Sequence, residues 1–396
     1  MAGPGPLDGV RVIALTHYLF GPACAQYLAD MGASVVKIEE PRMGAWERSW
    51  AGGNTYVGGV SAFYLVTHRN VRSIGLNLKS EQGRQIALRL LDSADVLIEN
   101  FTPGVMARLR LGFDEVHQLN PSLIYASGSG YGDRSPYREL PGQDLLIQAV
   151  SGLSSITGTS SMPPIPSGAP VVDQHAATLL ALAIVAALHR RSRTGQGDLV
   201  EVSMINAALD LQQEPLAYYM NGGLVSRPAS PLGSTFHDAP YGIYETKDGQ
   251  MALSLSPLED VSRALGDPDV LRPFLGGSGD PGRQDELYEA LAGLLRFRST
   301  DEITAVFRTA GVWCSPVNDY EALLRDPAVN ALEPFVTIPL PGSAAVRLVG
   351  APIRFLSGSA NRPSPPPGLG QHTTEILGEL GFNSAEIDAF REEGVI

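Results

Sequence analysis

The stretch Val10–Glu39 reads VRVIALTHYLFGPACAQYLADMGASVVKIE, and its pattern decides the fold. Val10–Thr16 is rich in β-branched residues and predicts a strand. His17-Tyr18-Leu19-Phe20 reads as a turn leading to Gly21-Pro22. Proline suits the first helical position, where an N–H would have no partner. Ala23–Met31 then predicts a helix that Gly32 stops. Ser34–Glu39 (SVVKIE) is the next strand. A strand, a helix and a strand within about 30 residues make one βαβ unit, which implies a parallel sheet with a right-handed crossover.

The pattern recurs downstream. Arg72–Leu78 and Asp95–Glu99 predict strands either side of an amphipathic helix, Ser80–Ala94, and Leu123–Ser127 predicts another strand. Such nearly continuous apolar runs suit strands covered on both faces. The expectation is a doubly wound α/β domain whose ligand lies outside the carboxyl ends of the strands. After a Gly-, Ser- and Pro-rich segment, Ser129–Val172, come a long helix (Gln174–Arg191), a strand (Leu199–Ser203) and a helix from Met204. Gly222–Pro240 reads as a linker. Tyr241–Leu255 predicts a hairpin, with Asp248-Gly249 supplying positive φ at its turn. Helical patterns follow at Leu258–Leu265, Gly282–Arg296 and Glu302–Ala310, and near the end at His372–Leu380 and Ala385–Glu393. The predicted domains are residues 1–221, a linker with a smaller α+β domain at 222–330, and a return segment at 331–396 that completes the first.

The 396 residues are 44% hydrophobic and 18% charged, which excludes a disordered chain. The net charge of −13, with no basic run, argues against nucleic-acid binding. Two cysteines, Cys24 and Cys314, form no disulfide framework and suit a reducing cytoplasm. Both read as small buried hydrophobes. The opening residues have neither the basic nor the apolar region of a secretion signal. The longest apolar run, Ala176–Leu188, is short of the ~20 residues a membrane span needs, so the expectation is a buried helix and no membrane partner. No zinc-type spacing, P-loop or GxSxG motif occurs, so no metal site is expected.

Leu7-Asp8-Gly9-Val10-Arg11-Val12, Gly21-Pro22 and Gly32–Glu39 resemble the opening of the class III CoA-transferases, the CaiB/BaiF family. Further segments fit in order: Arg69–Ile74, Glu99–Gly104, Gly130-Tyr131-Gly132, Asp144 with Gln148-Ala149, Thr194–Gly197, Ala239-Pro240-Tyr241, Lys247–Gly249 and Gly370–Thr373. The resemblance implies a Rossmann-like large domain, a smaller inserted domain and a homodimer of interlocked rings. It also implies transfer of CoA from an acyl-CoA to a carboxylic acid, with no cofactor beyond the CoA thioester itself.

Asp173 precedes the long helix, and its spacing alone reads as a helix N-cap. The resemblance makes it the catalytic carboxylate, which would form a mixed anhydride and then a CoA thioester. Helix N–H groups and the dipole are expected to keep it ionised. The resemblance places CoA on Leu76, Asn100, Phe101 and Arg108, with Arg42 standing in for an arginine that falls here on Glu40. A glutamine of formyl-CoA transferase falls on Leu19. Both departures weaken the case for oxalate or formate.

His17, Tyr131, Gln143 and Asp144 are assigned to the substrate pocket. Racemases of the family have histidine where this chain has Gln143, which exchanges no proton near neutrality. A racemase or isomerase, and a CoA-binding protein without turnover, remain alternatives. His175 follows Asp173 within the helix's first turn but does not share its helix face. Trp46, Trp50, Tyr56 and Phe63 read as a core cluster or as an apolar acyl site. They tilt the acceptor towards a medium-sized or carnitine-like acid. No counterpart of the family's Gly-rich lid is visible in Gly222–Gly233.

Overall fold

The computed structural model describes residues 5–234, 236–276, 283–340, 342–355 and 363–396. The chain divides into two compact units. The first comprises Met1–Ile147, Pro170–Leu211 and Glu333–Ile396, and the second Gln148–Ala169 and Gln212–Leu332. Residues 148–169, which the sequence reading places in the large domain, belong to the second unit.

The first unit is built on six parallel strands: β1 (Arg11–Leu15), β2 (Ser34–Glu39), β3 (Val71–Gly75), β4 (Val96–Glu99), β5 (Ile124–Ser129) and β6 (Asp198–Ser203). Their spatial order is β3-β2-β1-β4-β5-β6, the doubly wound arrangement expected from the repeated βαβ pattern. All five pairings are parallel. Strands β1, β2 and β4 are almost wholly buried, as covering on both faces requires.

Helix α1 spans Phe20–Asp30, three residues earlier than the sequence reading. Pro22 is therefore its third residue rather than its first. It is still tolerated there, because N–H groups of the first turn have no intrahelical partner. Helix α2 (Glu81–Asp92) starts where the sequence indicates, with the Ser80 hydroxyl accepting from the Gly83 N–H at 3.0 Å. A short helix α3 (Asp144–Val150) arises within the segment read as irregular.

Helix α4, Val171–Thr194, has 24 residues and begins three residues before Gln174. The 13-residue apolar run therefore lies inside a helix that is long and apolar enough to cross a membrane by length and composition. That corrects the reading of a segment too short to do so. Polar and basic residues at both ends hid its length. Its buried side chains, among them Val172, Leu180 and Ile184, pack with α1, α5 (Met204–Asp210), β5 and β6. One core cluster lies on a single face of the sheet and contains Leu15, Ile38, Ile74, Leu76 and Leu97, with Ile376 and Leu377 from the C-terminal segment.

The second unit has a three-stranded antiparallel sheet, β7 (Gly242–Glu245), β8 (Gln250–Leu253) and β9 (Cys314–Pro316), in the order β9-β8-β7. Helices Leu258–Ala264, Gln284–Leu295 and Thr300–Thr309 cover it around Tyr244, Met251, Leu291 and Phe307. The helix read from Gly282 starts at Gln284, and Gly282 itself lies outside the described residues. The β7–β8 turn does not use positive φ at Asp248-Gly249. It is closed by the Thr246 N–H donating to the Gly249 carbonyl at 3.0 Å. Asp248 instead accepts from the Thr300 N–H (2.8 Å) and hydroxyl (2.9 Å), tying the turn to the helix behind it.

Candidate active site

Strand order reverses between β1 and β4, and the loops leaving these strands are stapled together. The Asn100 side chain accepts from the His17 N–H at 2.9 Å and donates to the His17 carbonyl at 3.0 Å. The next residue, Tyr18, has φ of 61°, a left-handed backbone that a bulky residue holds only when its surroundings impose it. Those surroundings are buried charges on β2 and the loop after it. Lys37 donates to the Thr16 carbonyl (2.9 Å) and to Glu47 (2.6 Å), and Glu47 accepts from the Tyr18 N–H (3.1 Å).

His68 lies 2.8 Å from the Lys37 ammonium. Burial and the Lys37 charge lower its pKa to about 4, so the neutral ring accepts from Lys37. Glu47 stays ionised: burial opposes its charge, but the Lys37 ammonium holds its pKa well below the carboxylate range. Beside it Glu39 receives two bonds from Arg48 (2.6 and 2.7 Å) and one from Ser73 (2.7 Å). Burial would raise its pKa; the Arg48 bonds and the Lys37 charge prevail and bring it to about 2.

Asp173 is not the cap of α4. It is the third residue of the helix, and the N-cap position is Pro170, which offers no side-chain bond. The cap comes from outside the helix. Asp144 accepts from the Val172 N–H at 2.9 Å and the Asp173 N–H at 3.0 Å, both on Oδ2. Asp144 is brought there by a close backbone approach. A Cβ on Gly130 would stand 2.5 Å from the Gly142 Cα, so only glycines let the loop after β5 fold back on itself. The expectation of a dipole-stabilised anion is overturned. Burial and the Asp144 charge raise the Asp173 carboxyl from 3.8 to about 7. The helix-start N–H groups that would have stabilised it are engaged by Asp144.

His175 pairs with Asp210 at 2.6 Å. Gln143 is exposed, and its carbonyl accepts from the Ile147 N–H at 3.0 Å. His17 packs edge-on to Phe101, ring centroids 5.0 Å apart, and burial holds its pKa below the usual histidine value. A series of rings continues outward: Tyr18 to Trp46 (4.9 Å), Trp46 stacked on Trp50 (5.0 Å), and Trp50 against Phe63 (5.1 Å). Trp46 and Trp50 are 42% and 44% exposed, which removes the core-cluster reading. Tyr56 is tethered separately, to the Ser49 carbonyl at 2.9 Å.

A cavity of about 790 Å³ opens at the carboxyl ends of β4, β5 and β6, lined by Phe101, Gly104, Tyr131, Ser129, Ser203 and Glu99 among others. Glu99 carries a pKa raised to about 7 by burial, against hydrogen bonds from the Ser127 hydroxyl and the Phe101 N–H. Arg108 and Arg42 are exposed, with no carboxylate partner among the described residues. Leu76 is 1% exposed and belongs to the core.

The structure thus joins Asp144 with Asp173 and His17 with Asn100 and Phe101; Phe101 and Tyr131 line the cavity, whereas Asp144, Asp173, His17 and Asn100 are not among its lining residues. Sequence reasoning passed over Glu99 and the Lys37–Glu47–His68 and Glu39–Arg48 groups. One signal was available: charged residues inside strands otherwise apolar enough to be buried, since such residues are almost never buried unpaired.

Fold and site define a doubly wound α/β protein with a paired-carboxyl site at the start of its longest helix. The model of CoA-transferase family III matches residues 7–373, and the chain belongs to that family. It is an enzyme of the transferase type. An acyl-CoA transferase of Fusarium pseudograminearum is 33% identical over 99% of this chain and 88% of its own length. A succinyl-CoA–D-citramalate CoA-transferase of Chloroflexus aurantiacus is 31% identical over 99% and 98%. A crystal structure of a CaiB/BaiF family protein from Brucella suis superposes with a TM-score of 0.82 at 29% identity, covering 95% of this chain and all of that one.

Proposed function

We propose that this enzyme moves CoA from an acyl-CoA to a carboxylic acid through covalent intermediates on Asp173. The observation that carries this reading is the half-buried Asp173 carboxyl, held in the first turn of α4 with its proton affinity raised to about 7. Once ionised, a desolvated carboxylate of raised basicity is the stronger nucleophile. Asp173 attacks the thioester carbonyl, the C–S bond breaks, and a mixed anhydride and CoA thiolate result. The thiolate then attacks the aspartyl carbonyl, expelling the donor acid and leaving an aspartyl-CoA thioester. The acceptor carboxylate enters by the reverse order. No redox group or metal is needed for these steps.

Arg108 and Arg42 are assigned to the CoA phosphates, for which a free guanidinium is suited. Phe101 and the Asn100-stapled loop would shape the thioester end. The exposed rings of Tyr18, Trp46 and Trp50, backed by the partly buried Phe63, support an acyl group with an apolar surface. A relative named for succinyl-CoA and D-citramalate supports an acid of comparable size as acceptor. The protein is taken to act as a cytoplasmic homodimer.

The test is peptide mapping by mass spectrometry after mixing enzyme with acyl-CoA and trapping with hydroxylamine. A hydroxamate at Asp173 is expected. Product formation with Asp173 never modified would overturn the reading. The raised Asp173 pKa also suits acid–base exchange at the α-carbon. Deuterium uptake from heavy water into a 2-methylacyl-CoA, with no acceptor acid present, would favour that racemase reading instead.

A further inference from the structure

We propose that Asp144 is the positioning residue of Asp173: from outside α4 it caps the first turn, fixes the Asp173 main chain and sets a negative charge against the reacting carboxyl. The inference rests on the covalent role given to Asp173. Helix α4 cannot cap itself, because Pro170 occupies the N-cap position with no side chain that accepts a bond. One carboxylate oxygen, 29 residues away in sequence, takes two of its free N–H groups instead. The same two bonds run to the residue before Asp173 and to Asp173 itself, so a shift of Asp144 moves the nucleophile directly.

The placement has a chemical consequence. While Asp173 is an anion it faces a like charge in a partly dry site. When it attacks a thioester it becomes a neutral acyl group, and the repulsion disappears. Asp144 therefore favours the acylated enzyme over the resting carboxylate. Its charge also accounts, with burial, for the raised Asp173 pKa.

The other titratable groups on elements packed against α4 mostly have partners of their own. On α1, Tyr27 donates to Gln174 at 3.0 Å, Asp30 pairs with Arg69, and Cys24 is buried. On α5, Asp210 pairs with His175. On β5, Tyr125 donates to the Leu111 carbonyl. On β6, Asp198 pairs with Arg190, and Glu201 lines the cavity. On α3, Asp144 is the charged group at the helix start.

Two variants separate charge from capping. Asp144→Asn keeps an oxygen for both N–H groups and removes the charge, whereas Asp144→Ala removes both. The Asp173 carboxyl is titrated in resting enzyme by infrared difference spectra against Asp173→Asn, and melting temperature and hydroxylamine-trapped acylation are followed alongside. In Asp144→Asn the Asp173 titration should fall by on the order of one pH unit, with melting nearly unchanged. In Asp144→Ala the melting temperature should fall and acylation should slow at every pH. An Asp173 titration unmoved in both variants overturns the proposal. The titration requires no turnover. A moved titration with no trapped adduct in the native enzyme would sink the covalent reading and leave the placement of Asp144 standing.

Discussion

Replacing Asp173 by asparagine should make the protein more stable, not less. In the folded chain its carboxyl is raised from 3.8 to about 7 by burial and by Asp144. Between these values the folded state keeps a proton that the unfolded state releases. Stability contributed by this group is therefore complete below about pH 4 and is lost as pH rises through about 7. The interval is about three pH units, equivalent to an upper bound of about 4 kcal/mol at 1.36 kcal/mol per unit. Asparagine is nearly isosteric and stays neutral, so it brings no charge for burial to oppose or for Asp144 to repel. At pH 8 the variant should gain about 2–4 kcal/mol, or several degrees in the melting of the first unit. At pH 4 the two proteins should melt together. The assay is calorimetry or urea unfolding of both proteins from pH 4 to 8. Parallel pH profiles, or an asparagine variant less stable at pH 8, would refute the argument that a repelled carboxyl is held at this helix start. The gain in stability should accompany loss of transfer, as expected where a site is kept reactive at the expense of the fold.

Further outcomes follow from the buried charges and the exposed rings. Lys37→Met should destabilise by about 3–5 kcal/mol, because Glu47 is left buried and unpaired; urea midpoints of Lys37→Met, Glu47→Leu and the double variant should show the double recovering most of the loss. Glu39, held at about 2 by Arg48 and Lys37 against burial, adds stability that is full above about pH 4.5 and lost as pH falls towards 2, so Arg48→Met should flatten acid unfolding over that window. Trp46→Ala should raise KM for an aromatic or medium-chain acyl-CoA by about 10–200-fold and change that for acetyl-CoA little, as steady-state kinetics on the two donors would show. Light scattering should return twice the 42.1 kDa chain mass, and a monomer at working concentration would contradict the homodimer.

The architecture was legible because period and composition act locally. Val12, Ile13, Val35, Val36, Leu97 and Ile98 are apolar in consecutive positions, which only strands covered on both faces require, and all six are buried. Ser80 announced the start of α2 by its hydroxyl. The starts of α1 and α4 were missed for the same reason: neither N-cap residue, Leu19 or Pro170, carries a side-chain cap bond. The turn at Asp248-Gly249 was misread because its conformation follows from a tie to Thr300, 52 residues further on. Lys37 and Glu39 fall within the strand read at Ser34–Glu39, and only the sheet shows them as members of two buried ion-pair groups.

What the sequence determined alone was the alternation of strands and helices, a property of near neighbours along the chain; Asp173 was singled out by the family resemblance, since its spacing alone reads as a helix cap. The raised pKa of Asp173, the capping of α4 by Asp144 from outside the helix, and the row of rings leading away from the switch point follow only from the three-dimensional arrangement. Dielectric surroundings and Coulomb repulsion act through space, and a helix start takes its cap from whichever acceptor the fold delivers to it.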